Sequence, residues 1–165
     1  MIRKFCAMVL VVGMAGCAAP GQLIRHPLPN STYPIASAVE VRGDVATVYL
    51  SGQVPPVLDA TAGPDRPATY GADTKTQTVG TLRSIEKTLN DLGLTMGDVI
   101  KMQVFLVGDP AQGGRMDFAG FMAGYTQFFG TTAQPNLPSR SVFQVVGLAN
   151  AAWFVEIEVV ALRKP

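Results

Sequence analysis

Apolar residues along this chain follow two spacings, and the change from one to the other marks its elements. Ala38 to Val41 and Val45 to Ser51 are β-branched runs separated by Arg42-Gly43-Asp44, which predicts two strands joined as a hairpin. Val54 to Asp73 carries Pro55, Pro56, Gly63, Pro64, Pro67 and Gly71 and reads as a long loop. Val79, Leu82, Ile85, Leu89 and Leu92 then recur at helical intervals, predicting a helix from Thr74 to Leu92. Thr74 with Gln77 fits a capping box, and Gly93 is placed to stop the helix. Val99 to Val107 predicts a strand and Gly108 to Met116 a second loop. Asp117 caps a second helix that runs to Phe129, burying Phe118, Phe121, Met122, Tyr125 and Phe128 or Phe129, and ending at Gly130. Two last strands, Ser141 to Val146 and Trp153 to Leu162, meet around Gly147 to Ala152. The order ββ-α-β-α-ββ predicts an α+β fold with both helices on one face of a single sheet.

Alternation in the last strand puts Trp153, Val155, Ile157 and Val159 on one face and Phe154, Glu156, Glu158, Val160 and Leu162 on the other. Two acids therefore stand among apolar residues, a place for a functional carboxylate, a wetted sheet surface or an ion pair at a subunit contact.

The N-terminus has a different character. Arg3 and Lys4 precede an apolar stretch, Phe5 to Ala15, too short to span a bilayer, which reads as a signal peptide. Met14-Ala15-Gly16-Cys17 resembles a bacterial lipobox, with Met14 where leucine is usual, and makes Cys17 the lipidated first residue of the mature chain. An ordinary signal peptide cleaved near Ala18 or Ala19, or a buried apolar strand, is the alternative. With Cys6 removed, Cys17 is the single mature thiol, so no intramolecular disulfide forms. An acyl anchor would hold the domain on a membrane facing the periplasm, and Ala18 after the cysteine points to the outer membrane of a Gram-negative envelope. Residues 19–34 are rich in proline and glycine and read as a tether. The expected divisions are 1–16 signal peptide, 17–34 tether and 35–165 domain.

Charge narrows the chemistry. The chain has 13 basic and 12 acidic residues, and removal of Arg3 and Lys4 leaves a mature net charge of about −1. No basic cluster appears in the mature region, which argues against a nucleic-acid partner. The single histidine, His26, lies in the tether, so neither a multi-histidine metal site nor a histidine-based triad can be built.

Read in order, Ser51-Gly52-Gln53, Leu92-Gly93-Leu94, Asp98-Val99-Ile100-Lys101, Val104-Phe105, Tyr125 with Phe128-Phe129, Pro138-Ser139-Arg140-Ser141 and Val155-Glu156-Ile157-Glu158 resemble the Rid family. These are the RidA/YjgF-like reactive-intermediate imine deaminases, known by an older label as L-PSP endoribonuclease-like proteins. The resemblance covers about Pro34 to Arg163. It implies a chorismate-mutase-like fold, a homotrimer with three clefts between adjacent subunits, and no metal or cofactor. It also implies hydrolysis of small enamines and imines such as 2-aminoacrylate to keto acids and ammonia, as a 2-iminobutanoate/2-iminopropanoate deaminase does. On this resemblance Arg140 holds the substrate carboxylate, its planar guanidinium fork fixing orientation through paired hydrogen bonds. Without it, Arg140 reads as an exposed arginine after a proline loop. Glu156 matches the family's glutamate, which orients water or passes protons to the leaving nitrogen. Ser51, Ile35, Met122, Tyr125 and Val142 are the expected lining, although Ser51 fits equally a strand-end serine capping a turn. Ile35 stands where active members carry a tyrosine and Met122 where they carry an asparagine, so a bulkier, more apolar ligand is expected. A non-catalytic module binding a small carboxylate or a partner protein in the same clefts is the alternative, and a ribonuclease the least favoured.

Overall fold

A long apolar strand needs a neighbour on each side to satisfy its backbone, and in the computed structural model, which describes residues 21–163, the strand at Val99–Asp109 finds both. Seven strands are formed: β1 (Gln22–Pro27), β2 (Ala36–Arg42), β3 (Ala46–Gln53), β4 (Val99–Asp109), β5 (Arg115–Met116), β6 (Ser139–Val145) and β7 (Val155–Arg163). The helices are α1 (Thr74–Asp91) and α2 (Phe118–Tyr125). The sheet runs β1-β2-β6-β4-β7-β3, with the short β5 folded back on the end of β4. Beside β4, β6 is parallel and β7 antiparallel.

The two sheet faces differ in kind. Met102, Val104 and Leu106 of β4 and Val155, Ile157, Val159 and Ala161 of β7 turn to one side and are almost wholly buried. Against them pack Leu82, Ile85 and Leu89 of α1 and Phe121 and Tyr125 of α2, as the periodicity predicts. Val79 and Leu92 take less part: Val79 is half-buried and Leu92 exposed, while Thr74, Gln77, Thr78 and Thr81 fill the buried face of the first turns of α1. The opposite sheet face has no covering layer among the described residues, and Tyr49 and Phe143 lie exposed on it.

Four expectations need correction. First, part of the predicted tether is β1, paired antiparallel with β2 from Gln22↔Arg42 to Pro27↔Ala36. The Arg25 guanidinium secures it, donating to Leu137 O at 2.5 Å and to Gly97 O and Val99 O at 2.9 Å each. Burial lowers the pKa of that guanidinium while Asp98 opposes the shift, and the carbonyls replace its lost hydration. Second, β2 and β3 form no hairpin: β2 takes β1 and the start of β6 as neighbours, and β3 pairs with β7. β3 instead pairs antiparallel with β7 at the far edge, from Ala46↔Arg163 to Gln53↔Ile157. Third, the cap of α1 is Asp73, which accepts from Thr76 N at 2.8 Å, and Gln77 makes no capping box. Gly93, in left-handed backbone at φ 71°, does end the helix. Fourth, α2 stops at Tyr125, because tighter turns such as Phe128 N to Tyr125 O replace the helical ladder before Gly130. The signal-peptide reading and Cys17 lie outside the described residues.

Candidate substrate-binding site

Parallel pairing of Met102 with Arg140 and of Val104 with Val142 puts Arg140 and Val142 on the helix-covered face of β6. That face is apolar, and the Arg140 side chain lies against Phe121, Met122 and Tyr125 of α2. Its guanidinium carbon sits over three aromatic rings, 4.2 Å from the centre of Tyr125, 5.1 Å from Phe121 and 5.6 Å from Tyr33. Cation–π contact of this kind contributes about 0.5–2 kcal/mol as the site loses water. Nη2 of Arg140 donates to the Tyr33 hydroxyl at 3.0 Å and lies 3.3 Å from Met122 Sδ. The Tyr33 hydroxyl in turn donates to the same sulfur at 3.4 Å. Nη1 is buried and has no hydrogen-bond partner.

Tyr125 holds the other side of this arrangement. Its hydroxyl donates to Pro34 O at 3.0 Å, which fixes the segment carrying Tyr33. Burial pushes the phenol's pKa up to about 12, with Arg140 opposing part of the rise, so Tyr125 stays neutral and serves as donor and ring platform.

Glu156 is on the other face. It pairs with Phe105, whose neighbours Val104 and Leu106 point to the core, so its carboxylate projects from the open side of the sheet. There it lies across Gly52, where an added Cβ would overlap Glu156 Oε1. Gly52 belongs to an irregularity in the β3–β7 register between Leu50 and Gln53, and Ser51 within it is exposed.

The structure thus brings together Arg140, Met122, Tyr125 and Val142 of the expected residues, and within one chain it separates them from Glu156 and Ser51. Ile35 also lies elsewhere, lining a groove of about 320 Å³ with Arg25, Pro27, Ala36 and Leu137. Tyr33, on the other side of Pro34, is the residue of this segment that lies against Arg140. Sequence reasoning also missed Phe121 as part of the site, and Arg25. An aromatic flanking Pro34 was the available signal for Tyr33, obscured by its place in a proline-rich stretch. His26 is exposed and lies 3.4 Å from Glu40. Among the described residues no three His, Cys, Asp or Glu side chains converge as a metal site.

Chemically, the arrangement presents one fixed cation with an unpartnered N–H among aromatic and apolar side chains, a setting whose chemistry suits a carboxylate bearing a small or apolar group.

Residues 29–163 match the profile of the family described as Endoribonuclease L-PSP. A RutC family protein of Haemophilus influenzae is 32% identical over 136 residues, covering 82% of this chain and 92% of that one. TdcF of Escherichia coli strain K12, provisionally named a reactive intermediate deaminase, is 30% identical over 135 residues, covering 82% of this chain and 91% of its own. The crystal structure of E. coli TdcF with bound serine superposes with a TM-score of 0.55 at 30% identity, over 81% of this chain and 96% of that one. At 22% identity, the Rid-family protein YyfB of Yersinia pestis shares the fold with a TM-score of 0.60, over 88% of this chain and all of that one.

Proposed function

We propose, from the premise that the chain belongs to the endoribonuclease L-PSP family, also called RidA/YjgF, that it hydrolyses small 2-imino or enamine carboxylates to keto acids and ammonia. The observation that carries this reading is the buried, unpartnered Nη1 of Arg140 inside the Tyr33, Phe121 and Tyr125 cage. A buried donor without an acceptor costs about 1–3 kcal/mol, which a substrate carboxylate would recover on binding. The name of TdcF supports the reaction class, and the serine bound in its crystal structure is a carboxylate of suitable size.

The reaction needs few groups. Arg140 holds the carboxylate, and water adds to the imine carbon as a carboxylate base takes one of its protons. Return of that proton to nitrogen gives a carbinolamine, and transfer of its hydroxyl proton to nitrogen as the carbon–nitrogen bond breaks leaves a keto acid and ammonia; an enamine enters the same route after tautomerising to the imine. Glu156 is the carboxylate for that role. Because it projects from the opposite face of its own chain, the Glu156 that serves a given Arg140 comes from a neighbouring copy, with Ser51 beside it. A contact of this kind between copies closes into a symmetric assembly, and the one that the family resemblance implies is the homotrimer. Met122, Val142 and Phe121 give the pocket an apolar wall, which favours imines with larger apolar side chains over 2-aminoacrylate. Cys17 would tether the assembly to the periplasmic face of the outer membrane, which metabolic labelling with a palmitate analogue tests.

The reaction is tested with imines generated in solution by an amino-acid oxidase, following the carbonyl product. The expected result is acceleration over buffer that falls about thirtyfold to a thousandfold in Arg140→Ala, about 2–4 kcal/mol of lost transition-state binding. No acceleration, or full activity in Arg140→Ala, would overturn the proposal. The separation of Arg140 from Glu156 favours a second reading, a carboxylate-binding module without turnover. Thermal stabilisation by 2-oxobutanoate with no hydrolysis would identify it.

A further inference from the structure

Met122 is held unusually for a thioether. Two hydrogen-bond donors converge on its sulfur, Arg140 Nη2 at 3.3 Å and the Tyr33 hydroxyl at 3.4 Å, although a thioether accepts weakly. The side chain is half-buried at the pocket, whereas Met96 and Met102 are sealed in the core at 4% and 0% exposure. A half-buried sulfur is within reach of a molecule as small as hydrogen peroxide.

We propose that Met122 is a reversible oxidation site that regulates carboxylate binding at Arg140, its sulfoxide oxygen taking over the Arg140 and Tyr33 donors. In the step a hydroperoxide transfers one oxygen to sulfur. The O–O bond breaks, an S–O bond forms, the sulfur loses two electrons, and hydrogen peroxide is reduced to water. The product is a polar group with a strong acceptor oxygen where an apolar wall stood. It competes with the ligand for the guanidinium and removes the apolar surface on which a substrate side chain would rest. Reduction of the sulfoxide by a thiol-dependent methionine sulfoxide reductase restores the thioether. The coupling to ligand rests on the carboxylate-site reading of Arg140, whereas the oxidation of Met122 does not.

The test treats the purified protein with limiting hydrogen peroxide, maps sulfoxides by peptide mass spectrometry, and titrates 2-oxobutanoate before and after. Met122 is expected to oxidise well ahead of Met96 and Met102, with half-buried Met116 as an internal comparison. Affinity for 2-oxobutanoate is expected to fall about tenfold and to return after treatment with the reductase. Met122→Leu, whatever its starting affinity, should show no change on the same treatment. Met122 left intact while Met116 is converted, or converted with no change in affinity, overturns the proposal. Untreated protein that fails to bind 2-oxobutanoate overturns the carboxylate-site reading, and the coupling with it. Normal untreated affinity that survives Met122 oxidation overturns the proposed regulation and leaves the carboxylate-site reading of Arg140 standing.

Discussion

Arg140 and Glu156 project from opposite faces of one sheet, Arg140 beside Met102 on the helix-covered side and Glu156 beside Phe105 on the open side. If both serve one reaction, they do so across a contact between two copies. Arg140→Ala and Glu156→Gln should each be inactive alone, whereas a co-expressed mixture should regain activity. With random assembly about a quarter of the clefts receive an intact arginine and an intact glutamate. Absence of activity in a mixture whose hetero-oligomers are verified by native mass spectrometry would count against the shared site.

Tyr33 should act on ligand affinity rather than on the fold. Its hydroxyl accepts from Arg140 Nη2 and donates to Met122 Sδ, yet its ring is partly exposed. Tyr33→Phe keeps the ring over the guanidinium and removes the acceptor. The loss of a hydrogen bond to a charged group, about 1.5–3 kcal/mol at most, should appear as weaker 2-oxobutanoate binding by calorimetry, with the unfolding midpoint nearly unchanged.

These two residues also show where the sequence could be read and where it could not. Leu82, Ile85 and Leu89 announced α1 because a helix repeats its buried face every three or four positions, and the alternation through Val155, Ile157 and Val159 announced β7. Arg140 and Glu156 could be singled out as candidates, and alternation set Glu156 opposite Val155 and Ile157, but the facing of Arg140 was not legible. It depends on the register of β6 against β4, which no local pattern in β6 carries. The proline-rich stretch before Ala36 hid a strand and a site residue, because proline reports where regular structure is interrupted and not what lies between interruptions. Gln22 to Pro27 pairs through its backbone and the reach of Arg25, a long-range contact invisible to composition. The hairpin expected across Gly43 failed for a related reason. A turn allows two strands to pair but does not decide whether a better edge competes.

Gln77 offers a stability test away from the pocket. Fully buried, it donates through Nε2 to Gly71 O at 3.0 Å and Ala152 O at 2.9 Å, and its Oε1 accepts from Phe154 N at 2.7 Å. One side chain thus ties α1 to the long loop before it and to the entry of β7. Gln77→Leu is similar in size but leaves three buried backbone groups without partners, each worth about 1–3 kcal/mol. Because local relaxation recovers part of that loss, a net destabilisation of about 3–5 kcal/mol is expected from urea unfolding.

Tyr125 predicts a stability change at alkaline pH. Burial raises its phenol from 10.0 to about 12 in the folded protein, so the folded state keeps a proton that the unfolded state gives up first. Below pH 10 both states are protonated and this contribution to stability is fully present. As pH climbs from 10 to 12 only the unfolded chain ionises at this position, and the contribution drains away, by about 2–3 kcal/mol over the interval. Tyr125→Phe removes both the titration and the hydrogen bond to Pro34 O. It should therefore be less stable than the parent at pH 8 but lose less stability between pH 10 and 12. Urea midpoints measured at pH 8, 10 and 11.5 for both proteins should converge. Parallel decline of the two would mean that Tyr125 ionises as readily in the folded chain as in the unfolded one, and that its ring is not sealed against Arg140 as the structure has it.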